Sequence, residues 1–141
     1  DIKKEKTVKD KVQKVLGFLN ESSYIDNVVD INVEDSLSGF AGGFTSQQVI
    51  IKLAEFNAIL CFMLEEIFQM DINSINPMTA RKNVFGKARL KGVKSKDYVR
   101  MQIEEMYDTK NWCKTTTRGN WDKRNIDAYD GLVMALFEKS S

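Results

Sequence analysis

At residues 125–136 the chain reads NIDAYDGLVMAL, a segment that begins with two carboxylates three residues apart and continues as an apolar helix. Side chains at this spacing share one face of a helix, so Asp127 and Asp130 can point at the same spot. The apolar residues that follow can anchor the helix in a core. This geometry suits a divalent metal ion. The alternative is that Asp127 caps the helix and Asp130 is an ordinary acidic residue of its first turn.

A third carboxylate, Glu34, ends a segment with the alternation of a half-buried strand. In residues 28–34, apolar Val29, Ile31 and Val33 alternate with polar residues, and a turn-rich run follows. Functional groups collect at the carboxyl ends of strands in α/β sheets, so Glu34 is a candidate third member of an acidic cluster. A solvated residue at a strand end is the alternative.

Length and composition predict a single folded domain, 1–141, inside a cell. The chain is 43% hydrophobic and 29% charged, which is typical of a globular protein and not of a disordered one. We find neither an apolar run of the roughly 18 residues that a membrane span needs nor a signal-peptide pattern. The absence of histidine excludes His-dependent triads and His-bound metals. Cys61 and Cys113 indicate neither a disulfide framework nor a zinc site.

The net charge of +1 conceals a strongly basic middle segment. Residues 77–124 hold 13 Lys and Arg against 5 Asp and Glu, whereas residues 1–76 hold 7 against 12. A basic segment beside a carboxylate cluster is what an enzyme acting on a phosphodiester backbone needs, because cations hold the polyanion and carboxylates hold metals. A solvated basic loop is the alternative. The candidate phosphate contacts are Arg81, Lys82, Lys87, Arg89, Lys91 and Lys94.

The order of predicted elements is that of an α/β fold. Periodicity and capping signals predict, in turn, a helix at 3–20, a strand at 28–34, a helix at 45–69, a short strand at 72–75, helices at 79–85 and 95–107, a polar loop at 108–124 and a final helix at 127–138.

The helix at 45–69 is apolar on more than one face, which predicts deep burial or a partner helix. We expect a two-fold homodimer packed through this helix, with Phe62 and Phe68 among its contacts.

Four segments resemble, in the same order, the motifs of the RuvC-like Holliday junction resolvases and their phage and viral relatives, within the RNase H-like nucleases. In that family a strand ending in a metal-binding Glu leads to a long dimer-forming helix. A Pro-x-x-x-[Lys/Arg]-Lys segment and a Gly then precede a Lys-x-x-Val helix, and Asp-Ala-x-Asp-[Ala/Gly]-Leu opens the terminal helix. Those places are filled by Glu34, by PMTARK at 77–82, by Gly86, by KDYV at 96–99 and by DAYDGL at 127–132.

The resemblance implies an RNase H-like mixed sheet flanked by helices and a magnesium-dependent endonuclease acting on branched DNA such as four-way junctions. It implies that Glu34, Asp127 and Asp130 bind two Mg²⁺ or Mn²⁺ ions in the complete protein, and that Lys96 neutralises charge developing on the phosphate. A surface lysine at a helix end is the alternative for Lys96. This activity implies a location in the cytoplasm or nucleoid, in a cell or a phage-infected host.

One departure from the family concerns its N-terminus. RuvC-like enzymes begin with a three-stranded meander whose first strand supplies a metal-binding Asp, and nothing before the helix at 3–20 matches it. We therefore expect a fragment that lacks these strands. The alternative is a degenerate homologue acting as a non-catalytic nucleic-acid-binding or assembly subunit. An RNase H-like nuclease for RNA hybrids or flaps is a third reading.

Overall fold

The computed structural model describes residues 6–23, 25–35 and 46–139. The described residues form a mixed α/β arrangement of five α-helices, one 3₁₀ turn and a parallel pair of strands. The chain divides into two compact units, Asp1–Ser74 and Ile75–Ser141. Within the described residues, no helix is both long and apolar enough to cross a membrane. The elements are α1 (Val8–Asn20), the 3₁₀ turn Ile25–Asn27, β1 (Asn32–Glu34), α2 (Gln47–Phe68), β2 (Asn73–Ile75), α3 (Pro77–Phe85), α4 (Ser95–Met106) and α5 (Asn125–Leu136).

In the first unit, α1 packs against α2. α1 begins at a capping box: Asp10 N donates to Thr7 Oγ1, and Thr7 N donates to the Asp10 carboxylate. This reciprocal pair satisfies two amide groups that a helix start leaves without partners, so the helix begins at Val8. Val12 and Leu64 are the buried residues of α1 and α2, with 3% and 6% exposure.

The sheet is shorter than the sequence predicts, because side chains replace part of the backbone ladder. β1 was expected over 28–34 but spans only Asn32–Glu34, and Val29 is 92% exposed. The Asp30 carboxylate accepts hydrogen bonds from Ile31 N at 3.0 Å and from Asn73 Nδ2 at 2.7 Å. Backbone pairing begins where Asn73 N donates to Ile31 O at 2.9 Å.

α2 is a 22-residue helix that agrees with the prediction for 45–69 to within a few residues. It follows Ser46 and ends at Gln69, which adopts the left-handed conformation with φ of 50° while its side chain donates to Glu66 O at 2.7 Å. Side chains along its length stay in contact with solvent, including Ile51 at 64% exposure and Phe62 at 60%. The helix therefore retains an apolar surface that its own unit does not cover.

The second unit is built from α3, α4 and α5, with α5 packed against the other two. Asn76 caps α3 by accepting from Met78 N at 2.8 Å, and Pro77 occupies the first helical position, where its missing N–H costs nothing. α3 therefore starts two residues before the predicted 79. The core joins the strand end to all three helices, and its members are Ile75, Ala80, Val99, Ile103, Ile126, Tyr129, Val133 and Met134.

The segment at 108–124, predicted as a polar loop, is held by specific contacts. Lys114 N donates to Asn125 Oδ1 at 2.9 Å, and Asn125 Nδ2 donates back to Lys114 O at 2.8 Å. A β-bridge joins Thr115 to Trp121, and the turn between them uses Gly119 at a φ of 77°. These contacts extend α5 upstream, so it begins at Asn125 and not at 127.

Candidate metal and nucleic-acid site

Asp127 and Asp130 lie one turn apart on α5, as the spacing predicts. Ile126, Tyr129 and Val133 turn into the core, with Tyr129 fully buried. Asp127 belongs to the first turn and is exposed, and Asp130 lies at the margin of the core with its side chain 30% exposed. The residue at the cap position is Arg124, so Asp127 is not the N-cap that the alternative reading assumed.

Asp130 forms an ion pair with Arg81, a contact that the sequence analysis did not predict. Arg81 Nη2 donates to Asp130 Oδ1 at 3.0 Å, and the arginine side chain is only 11% exposed. Its Nη1 donates to Ser95 Oγ, the first residue of α4. One guanidinium thus joins the three helices of the second unit, each of which carries one of the sequence segments quoted above. Ser95 carried no signal of its own beyond its place at a helix start.

The remaining carboxylate, Glu34, is the exposed last residue of β1 in the first unit, whereas the aspartates belong to the second unit. Among residues 6–23, 25–35 and 46–139, no group of three or more Asp, Glu, His or Cys side chains could hold a metal ion. The donor chemistry of Asp127 and Asp130 fits magnesium, a hard ion that prefers carboxylate oxygens. The Arg81 cation occupies Oδ1 of Asp130, so a metal would bind the other oxygen of that group or displace the arginine.

The basic loop at 86–94 is an ordered connection with its cations in solvent. Tyr98 Oη donates to Lys87 O at 2.9 Å, and the Tyr98 ring meets Phe85 edge-on at 5.8 Å between centroids. Gly86 and Gly92 have φ of 78° and 80°, a backbone region that strongly favours glycine. Of the predicted phosphate contacts, five have exposed side chains: Lys82, Lys87, Arg89, Lys91 and Lys94.

Arg81, the sixth predicted phosphate contact, instead forms the ion pair with Asp130. Lys96, predicted to act at the phosphate, lies exposed in the first turn of α4, next to Ser95. Arg81 therefore contacts α4 at Ser95, the residue next to Lys96.

Two titratable groups support the framework of α5. Hydrogen bonds from the side chain and backbone of Arg124 hold the pKa of Asp122 at about 2. Burial raises the pKa of Tyr129 to about 12, and its hydroxyl donates to Glu104 Oε1 at 3.1 Å and lies 3.0 Å from Cys113 Sγ. The Asp122 contacts hold the residues just before α5, and the Tyr129 contact with Glu104 holds α5 against α4.

A scan of protein families, a search of curated proteins and a search of solved structures each found no match to this chain.

Proposed function

We propose that this chain belongs to a magnesium-dependent endonuclease of RNase H-like, RuvC-like type that cuts branched DNA. The observation that carries the proposal is the contact of Arg81 with both Asp130 and Ser95. It joins the segments at 77–82 and 127–132, on which the resemblance depends, to Ser95, the residue just before the segment at 96–99. This meeting of segments that resemble motifs of one family supports the proposal.

Under this proposal each group has a separate role. Asp127 and Asp130 would hold the metal, with Glu34 as the third carboxylate that the resemblance implies, and a bound metal would supply a nucleophilic water and stabilise charge on the phosphate. Arg81 fixes the orientation of Asp130 through a charge-assisted hydrogen bond. Lys96 neutralises charge on the phosphate. The exposed cations of the loop at 86–94 hold the DNA backbone.

We also propose that a second copy packs on α2. A four-way junction presents two equivalent strands, so a two-fold dimer would place one site at each. Phe62 is 60% exposed, and Phe68 is half-buried. Phe62→Glu should give a monomer in sedimentation at micromolar concentration. Phe18→Glu, on α1 and equally apolar at 74% exposure, should leave the dimer intact. A monomeric parent protein would overturn the dimer, and it would weaken the junction-resolvase reading more than the nuclease reading.

The second candidate is a non-catalytic nucleic-acid-binding or assembly subunit. It is favoured by the same ion pair, because an arginine that neutralises Asp130 gives this carboxylate a structural role without any metal. The two candidates differ in whether a metal ion competes with Arg81 for the Asp130 carboxylate. If Asp130 binds a metal, removing the arginine cation strengthens metal binding, since a like charge beside the ion is lost.

Calorimetric titration of the full-length natural protein with Mg²⁺ separates the candidates. The nuclease proposal predicts binding that Asp127→Asn weakens and Arg81→Gln leaves intact or strengthens. The matched change Asp108→Asn, at an exposed aspartate of the second unit, should have no effect. Absence of divalent-ion binding in the parent protein, together with intact DNA binding, would favour the non-catalytic subunit.

A further inference from the structure

A basic cavity of about 390 Å³ lies in the second unit beside the first turn of α4. Four cationic side chains line it, and Asp97 is the one acid among its lining residues. The cavity therefore carries a clear surplus of positive charge, and it is separate from the basic loop that the sequence analysis selected, apart from Lys94. We call it the Arg100 cavity, and its defining residues are Lys94, Lys96, Arg100, Trp121 and Lys123.

Arg100 is held in position against an aromatic ring. Its Cζ lies 4.2 Å from the centroid of the Trp121 ring, and its Nε donates to Glu104 Oε1 at 2.9 Å. Stacking and one hydrogen bond together fix the plane of the guanidinium. Nη1 and Nη2 make no hydrogen bond with any residue that the structure describes. A pre-oriented pair of N–H donors suits bidentate recognition of a phosphate.

Trp121 is equally well fixed. Its backbone forms the bridge to Thr115, and its ring packs against Tyr129 at 5.8 Å between centroids. Its Nε1 is buried and, within the described part of the chain, has no acceptor. Trp121 and Arg100 also line a neighbouring cavity of about 430 Å³. Arg100 and Trp121 thus line two adjoining cavities, which together have room for a ligand larger than a single ion.

We propose that the Arg100 cavity binds a phosphodiester of the DNA strand beside the candidate metal site. This inference rests on the proposed function for the identity of the ligand and adds the residues that would hold it. Arg100 receives the phosphate through its terminal nitrogens, and Lys94, Lys96 and Lys123 surround it with positive charge. Contact with the Trp121 ring holds the guanidinium in place, so little conformational freedom is lost on binding.

The test compares single changes of charge in the full-length natural protein. Lys123→Gln removes a cation of the cavity, and Arg118→Gln removes one from the exposed turn of the same segment. The probe is a four-way junction of synthetic DNA, titrated by fluorescence anisotropy from 50 to 300 mM salt. We expect Lys123→Gln to make the log–log salt slope shallower by about 0.9 and to weaken binding about eightfold at 0.1 M salt. Arg118→Gln should change neither.

Changes at the stacked pair test its geometry. Arg100→Lys keeps the charge but loses the planar fork, so it should weaken binding more than Arg118→Gln while leaving the salt slope near that of the parent. Trp121→Phe keeps a ring beneath the guanidinium and should bind more tightly than Trp121→Leu. Circular dichroism and the urea midpoint of each variant identify any change that only unfolds the unit.

The outcomes separate this inference from the proposed function. If folded Lys123→Gln and Arg100→Lys proteins bind the junction like the parent while the parent cuts it, the cavity proposal is wrong and the nuclease proposal stands. If the parent binds through these residues but never cuts with Mg²⁺, the cavity proposal stands and the nuclease proposal fails. A parent protein that binds no DNA overturns both.

Discussion

The ion pair between Arg81 and Asp130 should contribute measurably to the stability of the second unit. Exposed ion pairs contribute about 0.2–1 kcal/mol, and removing one partner of a fully buried pair costs about 3–5 kcal/mol. Here the two side chains are 11% and 30% exposed and the bond is 3.0 Å long. The pair lies between these limits, so we expect a coupling energy of about 1–2 kcal/mol. Arg81→Met alone should cost about 2 kcal/mol, because Asp130 and Ser95 both lose a donor.

A double-mutant cycle with Arg81→Met and Asp130→Asn isolates this coupling. Urea unfolding followed by tryptophan fluorescence reports on the right unit, because both tryptophans, Trp112 and Trp121, belong to it. They pack against Tyr129 with centroids 5.2 Å and 5.8 Å away. Unfolding free energies follow from linear extrapolation to zero urea.

The pair of Arg100 with Glu104 on α4 is the matched control. These side chains are four residues apart and 41% and 36% exposed, so their coupling should be only about 0.3–0.5 kcal/mol. The control uses Glu104→Gln, because Gln keeps an acceptor for the Tyr129 hydroxyl that also bonds to this side chain. A coupling at Arg81 no larger than that of the control would refute the reasoning. It would mean that the ion pair is not what joins α3 to α5.

Three further outcomes are expected. Arg124 holds the pKa of Asp122 at about 2, so the Asp122 carboxylate adds stability that is complete above its ordinary pKa of 3.8 and is lost as the pH falls towards 2. Asp122→Asn should make the urea midpoint less dependent on pH over that range, and an unchanged pH profile would contradict the assignment. Ile103→Val, at a position with no exposure, should lower the free energy of unfolding by about 0.5–1.5 kcal/mol in the same assay. Changing Arg89 and Lys91 together to Ala should make the salt slope of DNA binding shallower by up to about 2, and an unchanged slope would show that this loop only faces solvent.

Local patterns predicted the helices well, because capping and apolar periodicity act within a few residues of each other. α2 and α4 agree with their predictions to within a few residues. Pro77 illustrates how a local signal is incomplete. Its position just after the predicted strand at 72–75 indicates a strand end, but with Asn76 as a cap it also starts α3. A proline can serve both roles, since it donates no ladder hydrogen bond and fits the first helical turn.

Contacts between distant residues were beyond the reach of the sequence. Arg81 is 49 residues from Asp130, and nothing in the local pattern of either residue distinguishes a phosphate contact from an ion pair. The short β1 has the same cause, because strand length depends on the partner and the Asp30 side chain replaces part of the ladder. The structure of the segment at 108–124 likewise depends on a contact with a residue outside it, because Asn125 Oδ1 accepts a hydrogen bond from Lys114 N.

Cleavage of a four-way DNA junction by the full-length natural protein tests the central claim most directly. The protein and its Asp108→Asn variant should nick labelled junction strands in the presence of Mg²⁺. Asp127→Asn should give no product while binding the junction as tightly as the parent, because the change removes a metal ligand and leaves the basic surface intact. Cleavage by Asp127→Asn at the parent rate, or no metal-dependent cleavage by a parent protein that binds the junction, would contradict the account.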